Sequence, residues 1–443
     1  MKIVIIGAQA AGMSAAAKAK RMMKEAEIHV YDATDIVSFG ACGLPYFVGG
    51  FFQEKEKMIA RTAEQFQKSG IVIHQHQLVE TVDVKQKQLT VKDLLTEKKD
   101  IVDYDRLLIA TGASAVRPTW LCADYQNVHM LKTMSDGVKL KEQITDPDKK
   151  NIVIVGAGYI GLETVEAMKN LGKNVTLLQR SEHVLSKTFD VEIAEKLEEE
   201  LRQHIDYRTG ETIVSLVGDE VVSEVVTNKG RYAADVVIVA AGIRPNTEFL
   251  QNTGIKMLEN GAVVINEYGE TSIPDIYAAG DCATVYHLLS QTHKYIPLAT
   301  TANKIGRIVG ENLTGAKTSF EGTLGSACLK VMNLEAARTG LTEKEAKELG
   351  ILYQTTFISD KNQTHYYPGQ VDLWLKLIYH ADTKKLLGAQ MVGKKQVVHR
   401  VDALAVAIYA GLTTEQLGML DFCYAPPFAR AWDILNVAGN ASK

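Results

Sequence analysis

The chain has 443 residues, with 49 basic and 53 acidic side chains and a formal net charge of -4. That length exceeds one core of ordinary size and predicts two to three domains, while the near-balanced charge excludes a global attraction for nucleic acid or an anionic membrane. The five cysteines, at 42, 122, 282, 328 and 423, form no CxxC or C-x4-C pair, which excludes a secreted disulfide framework and predicts a reduced, cytoplasmic protein. No run of 18 apolar residues occurs, so neither a signal peptide nor a membrane-spanning helix is expected, and no metal site is read.

In chain order, Lys2 to Ile6 is an apolar run of strand type. Gly7 and Gly12 then bracket a turn, and the alanine- and lysine-rich stretch from Met13 to Lys24 predicts a helix. Glu27 to Asp32 closes a βαβ unit of the length a dinucleotide site requires, with glycines for the pyrophosphate and an acid for a ribose hydroxyl. Gln9 stands where the middle glycine of G-x-G-x-x-G is expected, so this unit is also readable as an ordinary buried turn.

A short stretch follows, from Ser38 to Tyr46, in which Cys42 precedes Gly43 and Pro45. Pro45 suits an early helical position, and a thiolate at a helix start is favoured by unpaired backbone NH groups. A lone cysteine is equally readable as a small buried hydrophobe. The other four cysteines have no redox partner in view and are read as structural.

The second glycine loop, Gly156-Ala157-Gly158-Tyr159-Ile160-Gly161, follows the apolar strand Asn151 to Val155 and is in full register. Two dinucleotide units about 150 residues apart imply two cofactors, a flavin and a nicotinamide being the natural pair. The acid expected at the end of the second unit is replaced by Gln179-Arg180-Ser181. An arginine there pairs with a 2′-phosphate, so NADPH is tolerated beside NADH; the other reading of Arg180 is a solvated surface charge.

Two matching strands end in glycine, Asp105 to Gly112, which includes Thr111, and Asp235 to Gly242; both read as crossings between domains. A third such run, Thr271 to Asp281, places Asp281 directly after Gly280. Asp281 is suited to hold a polar chain such as a ribitol, or to cap a helix. From about residue 323 onward no glycine fingerprint remains. Strand-like pieces (Ala327 to Val331, Val371 to Tyr379, Leu386 to Val392) alternate with helix-like ones (Glu343 to Leu349, Val397 to Tyr409), which fits a smaller α+β domain.

Together, Gly7 to Gly12, Asp32, Ala110-Thr111-Gly112, Gly156 to Gly161 and Thr271 to Asp281 resemble the pyridine nucleotide-disulfide oxidoreductases over nearly the whole chain. The stretch Ser38 to Tyr46 resembles their single-cysteine branch, which holds coenzyme A-disulfide reductases, NADH oxidases and NADH peroxidases. The resemblance implies an α/β fold: an FAD-binding domain from 1–112 and 243–322, an NAD(P)H-binding domain from 113–242 and a dimerisation domain from 323–443. It implies a homodimer. Gly7, Gly12, Asp32, Thr111, Gly112, Gly280 and Asp281 would hold FAD, and Gly156, Gly158, Gly161 and Arg180 the nicotinamide nucleotide.

Inside the branch, the oxidases and peroxidases carry a histidine in the first glycine loop, where this chain has Ala10. The segments His365-Tyr366-Tyr367-Pro368-Gly369 and Tyr424-Ala425-Pro426-Pro427-Phe428 resemble the tyrosine-bearing segments of the coenzyme A-disulfide reductases. By that resemblance Tyr367 and Tyr424 reach the other subunit's active site as proton donors; otherwise they pack an interface. Lys18 and Arg21 share a helix face suited to coenzyme A phosphates or to solvent. Arg61 is a weaker candidate for the same phosphates, and Ser38 and Phe39 flank the bound thiol. The resemblance implies NAD(P)H-driven reduction of coenzyme A disulfide through a Cys42 mixed disulfide. The alternatives are an oxidase or peroxidase cycling Cys42 through sulfenic acid, a persulfide or polysulfide reductase, and a flavoprotein that binds partners in a redox-dependent way.

Overall fold

The computed structural model describes residues 1–442. The chain divides into two units: Met1–Leu44 with Phe52–Val116 and Ile243–Thr323, and Pro45–Phe51 with Arg117–Gly242 and Leu324–Lys443.

The first unit is built on a five-stranded parallel sheet in the order Ile276–Ala278, Arg106–Ile109, Lys2–Ile6, Glu27–Tyr31, Ile71–His74. Its central strands are continuous aliphatic runs because both faces are covered; Ile3, Val4, Ile5, Leu107, Leu108 and Ile109 are fully buried. One cover is the helix Ala10–Met22, packed on the helix Ala299–Asn312. The two axes approach closely because small residues line the seam. A Cβ on Gly306 or Gly310 would lie 2.4 or 2.5 Å from the carbonyl oxygens of Ala11 and Ala15. The long strand read from Thr271 to Asp281 shortens to Ile276–Ala278, since Asp275 turns the chain at φ +63°.

The second unit repeats the parallel design in the order Asp206–Thr209, Asn174–Gln179, Asn151–Val155, Val236–Val239, Val128–Met130. It also contains a five-stranded antiparallel sheet in the order Ala327–Val331, Leu334–Gly340, Leu386–Gly393, Asp372–His380, Tyr353–Lys361, accompanied by the helices Val398–Tyr409 and Ile434–Ala441. The strand Leu334–Gly340 escapes the sequence pattern because it is a buried central strand of small residues without alternation.

A buried charge joins these parts. The Lys376 ammonium, on the strand Asp372–His380, sits 2.8 Å from Glu192, 2.6 Å from Glu343 and 3.5 Å from Asp190. Such a cation is tolerated inside only with its partners in place. Asp190 also takes the Gln390 amide at 2.6 Å, so the start of the helix Val191–His204 is stitched to the antiparallel sheet. Among the described residues no helix is long and apolar enough to cross a membrane.

Candidate functional site

The two glycine loops are built alike. Gly7 holds φ +108° with its Cβ position 2.2 Å from the Ala110 oxygen; Gly156 holds φ +106° with its own 2.4 Å from the Ala240 oxygen. Only glycine fits either place. Gly12 and Gly161 each bring the helix within 1.9 Å, measured from a Cβ position, of the preceding loop's carbonyl oxygen, at Gly7 and Gly156. The loops thereby lead into the helices Ala10–Met22 and Tyr159–Asn170, whose first NH groups are available to a pyrophosphate.

At the far end of each βαβ unit a side chain reaches back to its loop. Asp32, buried, accepts the Ala8 NH at 2.7 Å and, through its other oxygen, the Thr34 NH and hydroxyl at 2.8 and 2.6 Å. Gln179 does the matching work in the second unit, its Oε1 accepting the Ala157 NH at 3.0 Å. The exposed Arg180 follows it. A neutral amide beside an exposed guanidinium fits a phosphate-bearing ribose, whereas a carboxylate fits a free diol.

The residues around the first loop fit a large polar ligand. Gly112, at φ +67°, has open space where a side chain would stand, as Gly158 has in the second loop. Tyr295 has its hydroxyl buried with no hydrogen-bond partner among the described residues, and burial followed by the nearby Asp281 and Cys282 holds it above the ordinary tyrosine range. An orphaned buried donor beside Asp281 suits a hydroxyl-rich chain. Gly280, at φ +85°, leaves only 3.0 Å between its Cβ position and Ala11, so this turn presses on the helix start. The Thr111 hydroxyl is engaged elsewhere, donating to the Asn246 oxygen at 2.7 Å while Asn246 returns its amide to the Thr111 oxygen at 3.0 Å.

Cys42 is exposed and lies in the one-turn helix Ala41–Gly43 that runs into the helix Leu44–Val48, with Pro45 second in it. The turn packs on Met58, whose Cγ is 2.9 Å from a Gly43 Cβ position. Cys282, by contrast, is fully buried, its thiol pushed up by burial and donating to the oxygens of Ile109 and Ala279 at 3.4 Å each. The loop before Cys42 is tied on two sides. Ser38, at φ +52°, donates its NH to the Ala8 oxygen at 2.8 Å and accepts the Ala60 NH at 3.0 Å, while the Gly40 NH reaches the Met58 oxygen at 2.8 Å. Gln9 points away from the glycine loop: its Oε1 accepts the Phe39 NH at 2.9 Å and its Nε2 donates to the Ile36 oxygen at 2.8 Å.

Of the basic candidates, Lys18 sits 3.0 Å from Glu311 with its side chain only 16% exposed, so its charge is already matched inside the unit. Arg21 is exposed. Arg61 donates to the Gln65 oxygen at 2.6 Å and lies 4.1 Å over the Phe66 ring.

In the second unit, Tyr46 places its hydroxyl 3.5 Å from Glu163 on the helix Tyr159–Asn170. Burial raises the Glu163 carboxyl to about 7; the Tyr46 hydroxyl opposes that rise and the Glu166 carboxylate adds to it. Nothing in the sequence pattern singles out Glu163, because a lone acid on an amphipathic helix reads as solvated.

The tyrosine segments of the second unit meet. The phenol that pairs with Tyr424 is that of Tyr366, oxygen to oxygen at 3.2 Å. Both rings line a cavity of about 500 Å3 with Lys361, His365, Arg430 and Trp432, and Tyr367 lies outside it. The bond to Tyr366 raises the pKa of Tyr424 above the ordinary tyrosine value. Adjacent tyrosines in an irregular loop have no periodicity to tell them apart. Among the described residues no three His, Cys, Asp or Glu side chains are grouped to hold a metal ion.

The profile described as pyridine nucleotide-disulphide oxidoreductase matches residues 1–306, and that of the dimerisation domain of the same family matches 326–435. Over 443 residues the chain is 42% identical to an NAD(P)H sulfur oxidoreductase (CoA-dependent) of Pyrococcus furiosus, covering 100% of this chain and 99% of the relative. It is 35% identical to an NADH oxidase of Enterococcus faecalis (100% and 99% covered) and 31% identical to a coenzyme A disulfide reductase of Staphylococcus haemolyticus (99% and 98%).

Proposed function

The chain belongs to the pyridine nucleotide-disulphide oxidoreductases, and on that premise we propose that it is an NAD(P)H-dependent reductase of coenzyme A-linked disulfides with Cys42 as the nucleophile. The observation that carries this reading is the company Cys42 keeps. It is an exposed thiol at the entry of a helix, the neighbouring glycine loop presents Ala10 rather than a titratable side chain, and Cys282 is sealed in the core.

FAD, which the family uses, supplies a two-electron relay from NAD(P)H to sulfur. Gly7, Gly12, Asp32, Gly112, Gly280 and Asp281 would hold it, with the Tyr295 hydroxyl as a further donor. Gly156, Gly158 and Gly161 would cradle the nicotinamide dinucleotide, and Gln179 with Arg180 admits a 2′-phosphate.

The Cys42 thiolate attacks one sulfur of the disulfide, forming a Cys42–S–S–CoA bond and expelling a coenzyme A thiolate. That thiolate takes a proton from the Tyr366–Tyr424 phenol pair, contributed in a homodimer by the other subunit. Two electrons then cleave the mixed disulfide, returning Cys42 as thiolate and releasing the second coenzyme A; one NAD(P)H and one proton are consumed per two thiols formed. Arg21 is the exposed cation for the coenzyme A phosphates. The resemblance at 42% identity to a CoA-dependent sulfur oxidoreductase favours extending the substrate class to coenzyme A persulfide: attack of the Cys42 thiolate on its outer sulfur forms a Cys42 persulfide and expels coenzyme A thiolate, and two electrons then release the sulfur as hydrosulfide and restore Cys42.

The test is Cys42→Ser, assayed beside the native enzyme with coenzyme A disulfide, oxygen and peroxide. Flavin content is expected to be retained and disulfide turnover to fall by about a thousandfold or more. Retained disulfide turnover contradicts the proposal. Native turnover faster with oxygen or peroxide than with the disulfide favours the oxidase or peroxidase cycle instead.

A further inference from the structure

We propose that Gln9 is a positioning residue for Cys42: its side-chain amide straps the loop that carries the thiol to the first glycine loop. The inference rests on the reading of Cys42 as the redox thiol.

Gln9 precedes the helix Ala10–Met22 in the N-cap position, with extended backbone (φ -101°, ψ -157°), where a short polar side chain ordinarily folds back onto the helix NH groups. Gln9 makes no such bond. Its amide is turned across to the chain 27 and 30 residues later, where acceptor and donor are both used: Oε1 on the Phe39 NH at 2.9 Å, Nε2 on the Ile36 oxygen at 2.8 Å. Two complementary bonds fix which way the amide faces, so the contact is directional. The backbone bond from Ser38 to the Ala8 oxygen falls between them, so three anchors act on residues 36–39.

The segment so held needs holding. Ser38 sits in the left-handed region at φ +52°, which a non-glycine residue keeps only when its surroundings impose it. Three residues beyond Phe39 comes Cys42, in a turn whose other side is pinned by the Gly40 bond to Met58 and by the packing of Met58 under Gly43. The thiol is therefore located by two tethers. The Met58 side fixes the turn from below, and the Gln9 amide ties it to the backbone of the dinucleotide loop. A reacting sulfur held by supporting hydrogen bonds loses rate steeply when they slacken.

Gln9→Ala removes both bonds and leaves space; Gln9→Met removes both and fills it. Each holoenzyme is compared with the native one by the long-wavelength thiolate-to-flavin absorbance, taken with Cys42 as free thiolate and the flavin oxidised, relative to flavin content. The second readout is the pH profile of Cys42 alkylation by iodoacetamide, located by peptide mass. In Gln9→Met the absorbance is expected to fall about threefold or more and the alkylation profile to shift, with flavin content and thermal midpoint near native. Gln9→Glu, which keeps the acceptor for Phe39, is expected to recover part of the absorbance. A Gln9→Met protein with native absorbance and a native alkylation profile overturns the proposal, whatever becomes of Gln9→Ala. Both readouts are taken without turnover. If stoichiometric alkylation of native Cys42 leaves disulfide reduction intact, the redox reading of Cys42 has failed rather than the strap.

Discussion

The two nucleotide-type units share a backbone design, and three of the places where their side chains differ set them apart. In the first, Asp32 reaches the loop, Gln9 stands at the middle position and Ser14 lies seven residues beyond Gly7, its hydroxyl on Asn303 at 2.9 Å. In the second, the same three places hold Gln179, Gly158 and Glu163. The backbone features are set by sterics that admit one residue type. The side chains are where one unit is tied to the loop that carries Cys42 and the other presents an exposed arginine beside Gln179 and a titrating carboxyl.

The shared part breaks hardest. A methyl group at Gly12 or at Gly161 would meet a carbonyl oxygen at 1.9 Å, and neither neighbour is a flexible side chain. Gly12→Ala and Gly161→Ala are each expected to cost about 3 kcal/mol or more, read as a fall in the thermal midpoint. They should differ in cofactor: flavin content drops in Gly12→Ala, whereas Gly161→Ala keeps its flavin and loses nicotinamide affinity.

Next in size is the exchange that makes the second unit copy the first. Gln179→Asp keeps an acceptor for the Ala157 NH and adds a charge, so KM for NADPH is expected to rise about tenfold or more, with NADH favoured. Steady-state kinetics with both nucleotides check this; an unchanged preference would show that Gln179 and Arg180 do not face the ribose.

The smallest effect concerns Glu163. Its folded-state pKa, raised to about 7 from an ordinary 4.5, means the folded chain keeps a proton that the unfolded chain has lost between those values. Stability therefore falls as pH rises through that window and levels off above it. Glu163→Gln should flatten this slope in thermal melts taken from pH 5 to 8, and an identical slope in both proteins would remove the carboxyl from the account.

Much of this was legible in the sequence because it is backbone chemistry. Gly7, Gly12, Gly156 and Gly161 recur at spacings that only close helix–strand packing demands, and the aliphatic runs mark parallel strands buried on both faces. What was not legible depends on a choice the chain makes after folding. Gln9 reads as a departure from the glycine pattern, yet its side chain is turned away from the loop onto Phe39 and Ile36. Lys18 reads as a phosphate ligand until the helix pairing sets it on Glu311. Tyr366 and Tyr367 differ by one residue in an irregular segment, and only the fold decides that Tyr366 meets Tyr424.

The most direct measurement is intact mass of the oxidised protein before and after mild reduction, with the modified peptide identified. A loss equal to one coenzyme A per chain, located at Cys42, is the predicted result. A loss of a single oxygen at Cys42, or coenzyme A attached at another cysteine, contradicts the account.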